Sequence, residues 1–361
     1  MKKKIFCITK DEILKRLVEN NQNPGGRIEY LLGYNLLGEN KYEKSFANLP
    51  RGEVRGFVGR LCHLLEWPFR KIVRLGIALE VCPYLRKQIR TADVIIGVND
   101  GIGLGLCFWK MLGFVKADVI VMMMGLPEKF RNLKGRPLLR AFISTILGRA
   151  AYVLTLSDCA GVSLRDYFHL KPERMKTFRF GANIDYWRPL PEIKRENFIL
   201  SVGNDRNRDF KTLIRALPEN LNLKIVTKIP IAAEKAGVEI IHNFLSGEDL
   251  KKLYNQALFA VIPSVKLREE SSGLSSDLQL MAANTAVIIS RAPAIEEVFT
   301  DGVDCLFFEP ENVADLRVKI KILLDDKALR DKIAAGGRQK ILSFYNCRTM
   351  ASEMEKLIDS I

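Results

Sequence analysis

Phe198-Ile199-Leu200-Ser201-Val202-Gly203-Asn204-Asp205-Arg206-Asn207-Arg208-Asp209-Phe210-Lys211-Thr212-Leu213 reads as a buried strand, a polar turn opened by glycine, and the first turn of a helix near 209–217. The same alternation continues on both sides. Downstream, Leu223–Val226, Val238–Ile241, Phe259–Ile262, Ala286–Ile289 and Leu306–Phe308 are short apolar runs of strand length. Helical patterns fall near 247–257, 277–283 and 294–299, and the chain turns helical from Val313 to its end. Upstream, Lys4–Ile8, Val94–Val98, Val119–Met123 and Tyr152–Leu156 read as strands, with helices near Arg27–Leu37, 101–112, 136–149 and Ser157–Phe168. Strands that alternate with helices call for parallel sheets covered on both faces.

Two such series predict an α/β chain of two Rossmann-like, doubly wound domains facing each other across a cleft, with ligands at the carboxyl ends of the strands. Trp187-Arg188-Pro189-Leu190-Pro191 is the expected seam, because its prolines stop regular structure. The predicted domains are 1–188 and 189–346, with a C-terminal helix at 347–361 returning to the first domain.

Length and composition narrow the class further. With 361 residues, 48% hydrophobic and 27% charged, the chain has a globular profile. The most apolar runs, 119–127 and 278–290, are shorter than the roughly 18 residues a spanning helix needs. The apolar stretch after Met1-Lys2-Lys3-Lys4 is too short for a secretory signal. Seven cysteines without a CxxC pair read as reduced thiols of a cytoplasmic protein and predict no metal site.

Charge divides the chain unevenly. Residues 1–190 carry 32 Lys and Arg against 17 Asp and Glu, whereas residues 191–361 carry 24 against 25. A basic first half is suited to a polyanion or an anionic membrane surface, and equally to plain solubility. Between residues 57 and 90, Trp67, Phe69, Arg70, Lys71 and Arg74 form a basic, aromatic, amphipathic stretch of the kind found at membrane interfaces. The competing reading is a helix packed on the sheet with its basic residues outward. No nucleic-acid motif accompanies the charge.

Four stretches in register resemble the retaining, GT-B-type glycosyltransferases of family 4. These are Ser201–Leu213; Ser271-Ser272-Gly273-Leu274-Ser275-Ser276-Asp277-Leu278-Gln279-Leu280-Met281-Ala282, which is similar to a Ser-Gly-Gln variant of the donor motif; Thr300–Pro310; and Phe180–Pro189 as the interdomain connector. The first 150 residues match only in outline. The resemblance implies a nucleotide diphosphate sugar as donor, a glycan or lipid-linked acceptor, retention of configuration, and no metal or other cofactor. It implies a role in surface polysaccharide or glycoconjugate assembly, on the cytoplasmic face of a membrane.

The site residues follow from that resemblance and from their chemistry. A Ser/Gly bend entering a helix offers N–H groups to a departing diphosphate, and Gly273 allows close approach. Arg208 is placed to fork onto phosphate oxygens, with Lys228 as a second cation. Asn204, in the phosphate-facing loop, and Leu274 join the donor-binding set, as do Ser272, Ser275 and Ser276, which equally fit ordinary turn and cap residues. The base and sugar pockets are expected near Asn243, Phe244 and Leu245 and the loop 263–271. Glu269 or Glu270 stands for the family's acidic residue near the sugar. Gln279 takes the place of the carboxylate that accepts from ribose, while Ser276–Gln279 also fits a helix capping box. Gly25 and Gly26 resemble the family's glycine pair, or a plain turn. Asp100 is either the group that orients the acceptor hydroxyl or a helix cap. Where the family places a histidine, this chain has Met122-Met123-Met124-Gly125. That departure, with Gln279, leaves a non-catalytic nucleotide-sugar-binding relative as the alternative. An epimerase lacks a convincing acid–base set.

Overall fold

The computed structural model describes residues 2–9, 28–49, 57–72, 74, 76–232, 235–242, 245–269 and 271–361. The chain forms two compact units, Met1–Arg179 with Met350–Ile361, and Phe180–Thr349.

The first unit is built on six parallel strands: β1 (Lys3–Thr9), β2 (Tyr42–Asn48), β3 (Val94–Gly97), β4 (Asp118–Met122), β5 (Tyr152–Thr155) and β6 (Met175–Thr177). Their order is β2-β1-β3-β4-β5-β6. The connections include α1 (Phe57–Ile72), α2 (Val81–Tyr84), α3 (Arg86–Thr91), α4 (Asp100–Met111), α5 (Leu126–Lys129), α6 (Pro137–Leu147) and α7 (Asp158–Phe168). Strands β3 and β4 are the central apolar runs expected of a sheet covered on both faces. Two expectations change. The helix anticipated over Arg27–Leu37 is a pair of single 3-10 turns, Ile28–Leu31 and Tyr34–Leu36, separated by Leu32 and Gly33 at positive φ. Strand β2 was not anticipated, because an edge strand with a half-polar face gives no continuous apolar run.

The second unit repeats the plan with β7 (Phe198–Val202), β8 (Asn222–Val226), β9 (Val238–Ile241), β10 (Phe259–Ile262), β11 (Val287–Ser290) and β12 (Leu306–Phe308). Its helices are α8 (Phe210–Ala216), α9 (Gly247–Gln256), α10 (Leu274–Ala282), α11 (Pro293–Glu296), α12 (Val313–Asp325) and α13 (Lys327–Phe344). The strand order, β12-β11-β10-β7-β8-β9, starts at β7 and reverses between β7 and β10. That reversal is a topological switch point, where loops on adjacent strands diverge and leave a crevice. Trp187, in the expected seam, is fully buried and packs against Tyr254, with ring centroids 5.2 Å apart.

The last helix, α14 (Cys347–Asp359), counts with the first unit from Met350 onward. Lys3 Nζ donates to the carbonyls of Ile358 and Ile361, each at 2.7 Å, and the Tyr42 hydroxyl donates to Asp359 at 2.6 Å.

Candidate functional site

The loops that follow β7 and β10 are joined at the switch point of the second unit. Backbone N–H groups of Asp209 and Val265 donate to the carbonyls of Pro263 and Asn207 at 3.2 and 2.9 Å. Asp205 ties the turn together, accepting from the Asn207 N–H at 3.0 Å and from the Ser272 hydroxyl at 2.8 Å. Asp209 caps α8 by accepting from the Thr212 N–H at 3.1 Å. Asn204 accepts from the Lys228 N–H at 2.6 Å, which holds the β7 turn to the end of β8.

These bonds direct Arg208 onto the glycine bend. Gly273 caps α10 at φ 101°, and a methyl group placed on it would come within 2.6 Å of Arg208 Nη1 and 2.9 Å of Ile262. Gly203, at φ 152°, lies against the same guanidinium. Both glycines are therefore required by conformation and by space. The N–H groups of Gly273 and Ser275 meet no acceptor among the described residues. The guanidinium and the start of α10 thus share one polar recess, the arrangement expected of a phosphate cradle.

Several polar groups of β7, its turn, the glycine bend and α10 are buried without hydrogen-bond partners. Arg208 Nε and Nη1, both carboxylate oxygens of Asp277, and the hydroxyls of Ser201 and Ser271 have none. Leaving such groups unpaired costs about 1–3 kcal/mol each, so a polar or charged ligand that pairs them is favoured here. Burial raises the Asp277 pKa to about 8, with Arg208 pulling it down. Burial lowers the pKa of Arg208, while the charges of Asp277, Asp205 and Tyr254 raise it. A guanidinium keeps its proton at neutral pH, so the recess is electropositive when Asp277 is neutral.

In the sequence Asp277 belongs to the stretch that resembles the donor motif and to the capping box Ser276–Gln279, with no role of its own. That box is not formed, because α10 begins at Leu274 with Gly273 as its cap, which leaves Ser276 and Gln279 inside the helix. Gln279 is buried and accepts from the Tyr254 hydroxyl at 3.2 Å. Ser275 and Ser276 are half-buried in the first turn, next to Ser272, Gly273 and Leu274. Lys228 is exposed beyond β8, and Leu245 is half-buried beyond β9, so both lie at carboxyl ends of the same sheet. Glu269 is buried. Gly25, Gly26, Asn243, Phe244 and Glu270 lie outside the described residues.

Asp100 in the first unit has a different environment. Asn99, one residue earlier, caps α4 by accepting from the Ile102 N–H at 3.0 Å. The Asp100 carboxylate accepts from the N–H groups of Leu126 at 2.9 Å, Gly125 at 3.0 and 3.2 Å, and Met124 at 3.4 Å. Burial raises its pKa against these bonds. Asp100 thus anchors the Met124–Leu126 turn, the stretch that departs from the family's histidine, and the N-cap of α4 is Asn99 rather than Asp100.

Residues 206–356 match the family described as glycosyl transferase-like. A glycosyltransferase of Methanocaldococcus jannaschii is 25% identical over 229 residues, covering 56% of this chain and 58% of the relative. The N,N'-diacetylbacillosaminyl-diphospho-undecaprenol alpha-1,3-N-acetylgalactosaminyltransferase of Campylobacter jejuni is 23% identical over 224 residues, covering 60% of this chain and 56% of the relative. The match thus spans little more than half the length of these curated relatives. Among solved structures, HepE of Anabaena in complex with UDP and glucose superposes with a TM-score of 0.69 at 13% identity, over 100% of both chains. The two six-stranded sheets are those of the GT-B glycosyltransferase fold.

Proposed function

We propose that this protein is a glycosyltransferase that moves a sugar from a nucleoside diphosphate donor to a glycan or lipid-linked acceptor, with retention of configuration and without a metal ion. The reading rests on one observation, the buried guanidinium of Arg208 closed over Gly203 and Gly273 with two nitrogens unpartnered. As the bond from the sugar's anomeric carbon to the phosphate oxygen breaks, negative charge grows on the diphosphate. A cation such as Arg208, together with the N–H groups at the start of α10, would stabilise that charge. The acceptor oxygen bonds to the same face of the anomeric carbon, and its proton passes to the departing phosphate oxygen. No protein base is needed, which agrees with Asp100 being engaged by backbone N–H groups.

Thermal denaturation with UDP, GDP and ADP tests the donor site. A nucleotide at a hundred times its Kd stabilises by about 2.7 kcal/mol. If none of the three raises the melting temperature, the donor reading fails; an inverted anomer in the product would remove retention. A non-catalytic relative is favoured by one feature, Gln279 bonded to Tyr254 in place of a bare ribose acceptor. Nucleotide binding with no transfer over days would select it.

The acceptor reading extends to an anionic membrane surface and to surface polysaccharide or glycoconjugate assembly. It draws on α1, where Phe57, Leu61, Leu64, Leu65 and Trp67 are exposed beside Arg60, Arg70 and Lys71. No described helix is long and apolar enough to cross a membrane, so attachment would be peripheral. The protein is expected to pellet with anionic liposomes, and equal recovery in the supernatant with and without them would exclude this.

A further inference from the structure

The first unit contains a second polar recess, at the opposite ends of its strands from Asp100. Helix α3 runs into the start of β3, and the turn at 112–117 runs from α4 into the start of β4. Between them lies a cavity of about 580 Å³, within the range of small-molecule sites. Its apolar wall is Cys82, Ile89, Trp109 and Phe114, and its cationic side is Arg86, Arg90 and Lys116. Among the described residues, no carboxylate lines it.

Three features make this more than a surface hollow. First, three exposed cations line it without counter-ions: Arg86, Arg90 and Lys116 form no side-chain hydrogen bond or ion pair among the described residues. Arg86 and Arg90 are one helical turn apart, a spacing at which like charges repel unless an anion lies between them. Both guanidiniums are near enough to the Cys82 thiol to lower its pKa against the burial that raises it. Second, the wall is braced. Trp109 Nε1 donates to the Leu79 carbonyl at 2.7 Å, and its ring meets Phe114 edge-on, with centroids 5.3 Å apart. Third, the turn carrying Phe114 and Lys116 is pinned by Lys110 Nζ, which donates to the carbonyls of Ala117 and Lys116 at 2.5 and 3.3 Å.

We propose that this cavity binds an amphipathic phosphate. The phosphoryl group is held by Arg86, Arg90 and Lys116, and an apolar or aromatic body lies against Trp109, Phe114 and Ile89. Two guanidinium forks and an ammonium suit a dianionic phosphate, and the wall excludes water from one side of the contact. Such a ligand reaches the protein either as a lipid or as a soluble aryl phosphate. The site is separate from the donor recess of the second unit and does not depend on that assignment.

Calorimetric titration with dihexanoyl phosphatidic acid below its micellar concentration, 1-naphthyl phosphate and inorganic phosphate tests the proposal. At least one of the two amphipathic phosphates should bind ten or more times more tightly than inorganic phosphate, and which one does so identifies the source. The Arg86→Gln/Arg90→Gln variant should weaken that binding about a hundredfold, roughly tenfold for each charge-assisted contact. Trp109→Leu should weaken the amphipathic ligands while leaving inorganic phosphate unchanged. Unaltered melting temperatures would show that both variants fold. The proposal is overturned if neither amphipathic ligand exceeds inorganic phosphate, if the folded double variant binds like wild type, or if UDP displaces the ligand and so locates it in the second unit.

Discussion

The two units use the same strand–turn–helix plan, but differ in what happens to a charged side chain at the switch point. In the first, Asp100 sits just past β3 with its carboxylate consumed by the N–H groups of Met124, Gly125 and Leu126. In the second, Arg208 sits past β7 with Nε and Nη1 buried and unpartnered. One charge has been built into the fold; the other is held for something the fold does not supply. Satisfied polar groups stabilise, and unsatisfied ones are kept where binding needs them.

Replacing each of these residues should therefore affect different properties. Arg208→Met keeps most of the side chain's length without its charge. Transfer should fall by about 10²–10³, the effect of removing one group that stabilises developing charge. The melting temperature of the unliganded protein should stay the same or rise, because a buried unpaired cation has been removed. A variant that transfers sugar at the wild-type rate would break the comparison at its strongest point.

Asp100→Ala should show the reverse pattern. It leaves backbone N–H groups in the Met124–Leu126 turn without their acceptor, at a loss of about 3 kcal/mol, or a melting temperature lower by very roughly 10 °C. Isothermal titration with the best nucleotide should find its affinity unchanged. If nucleotide affinity falls while the melting temperature does not, Asp100 has been given the wrong job.

How far these sites could be read in advance follows the same division. The alternation of strand and helix was legible because buried parallel strands such as Phe259–Ile262 are continuous apolar runs. Arg208 and Gly273 were singled out through the resemblance of their two stretches, and the fold brings them into contact. Asp277 was not singled out. In sequence it is one polar residue among serines, and only the tertiary packing of α10 against the guanidinium shows that it is buried and unpartnered. The start of α10 was misplaced for a related reason: a Ser-Ser-Gly-Leu-Ser-Ser run contains several residues able to cap, and the choice is made by contacts with the loop after β7. The 3-10 turns at Ile28–Leu36 were missed because local apolar spacing cannot reveal the positive φ of Leu32 and Gly33.

Asp277 also provides the mildest test of the contrast, through pH. Its carboxyl has a pKa of about 8 in the fold, against an ordinary value near 4 in an unfolded chain. Between those values the native state holds a proton that the unfolded state has released. Stability of the unliganded protein should therefore fall as pH rises through this window and level off above about 8. Binding should follow the same direction: above pH 8 the carboxylate offsets the charge of Arg208 and repels a diphosphate, so UDP affinity should drop several-fold between pH 7 and 9. In Asp277→Asn, both the downward stability slope and the fall in affinity should flatten, since the amide carries no titrating charge. A wild-type affinity that is constant over this range would mean that Asp277 does not face the ligand, and that Arg208 and α10 hold the diphosphate alone.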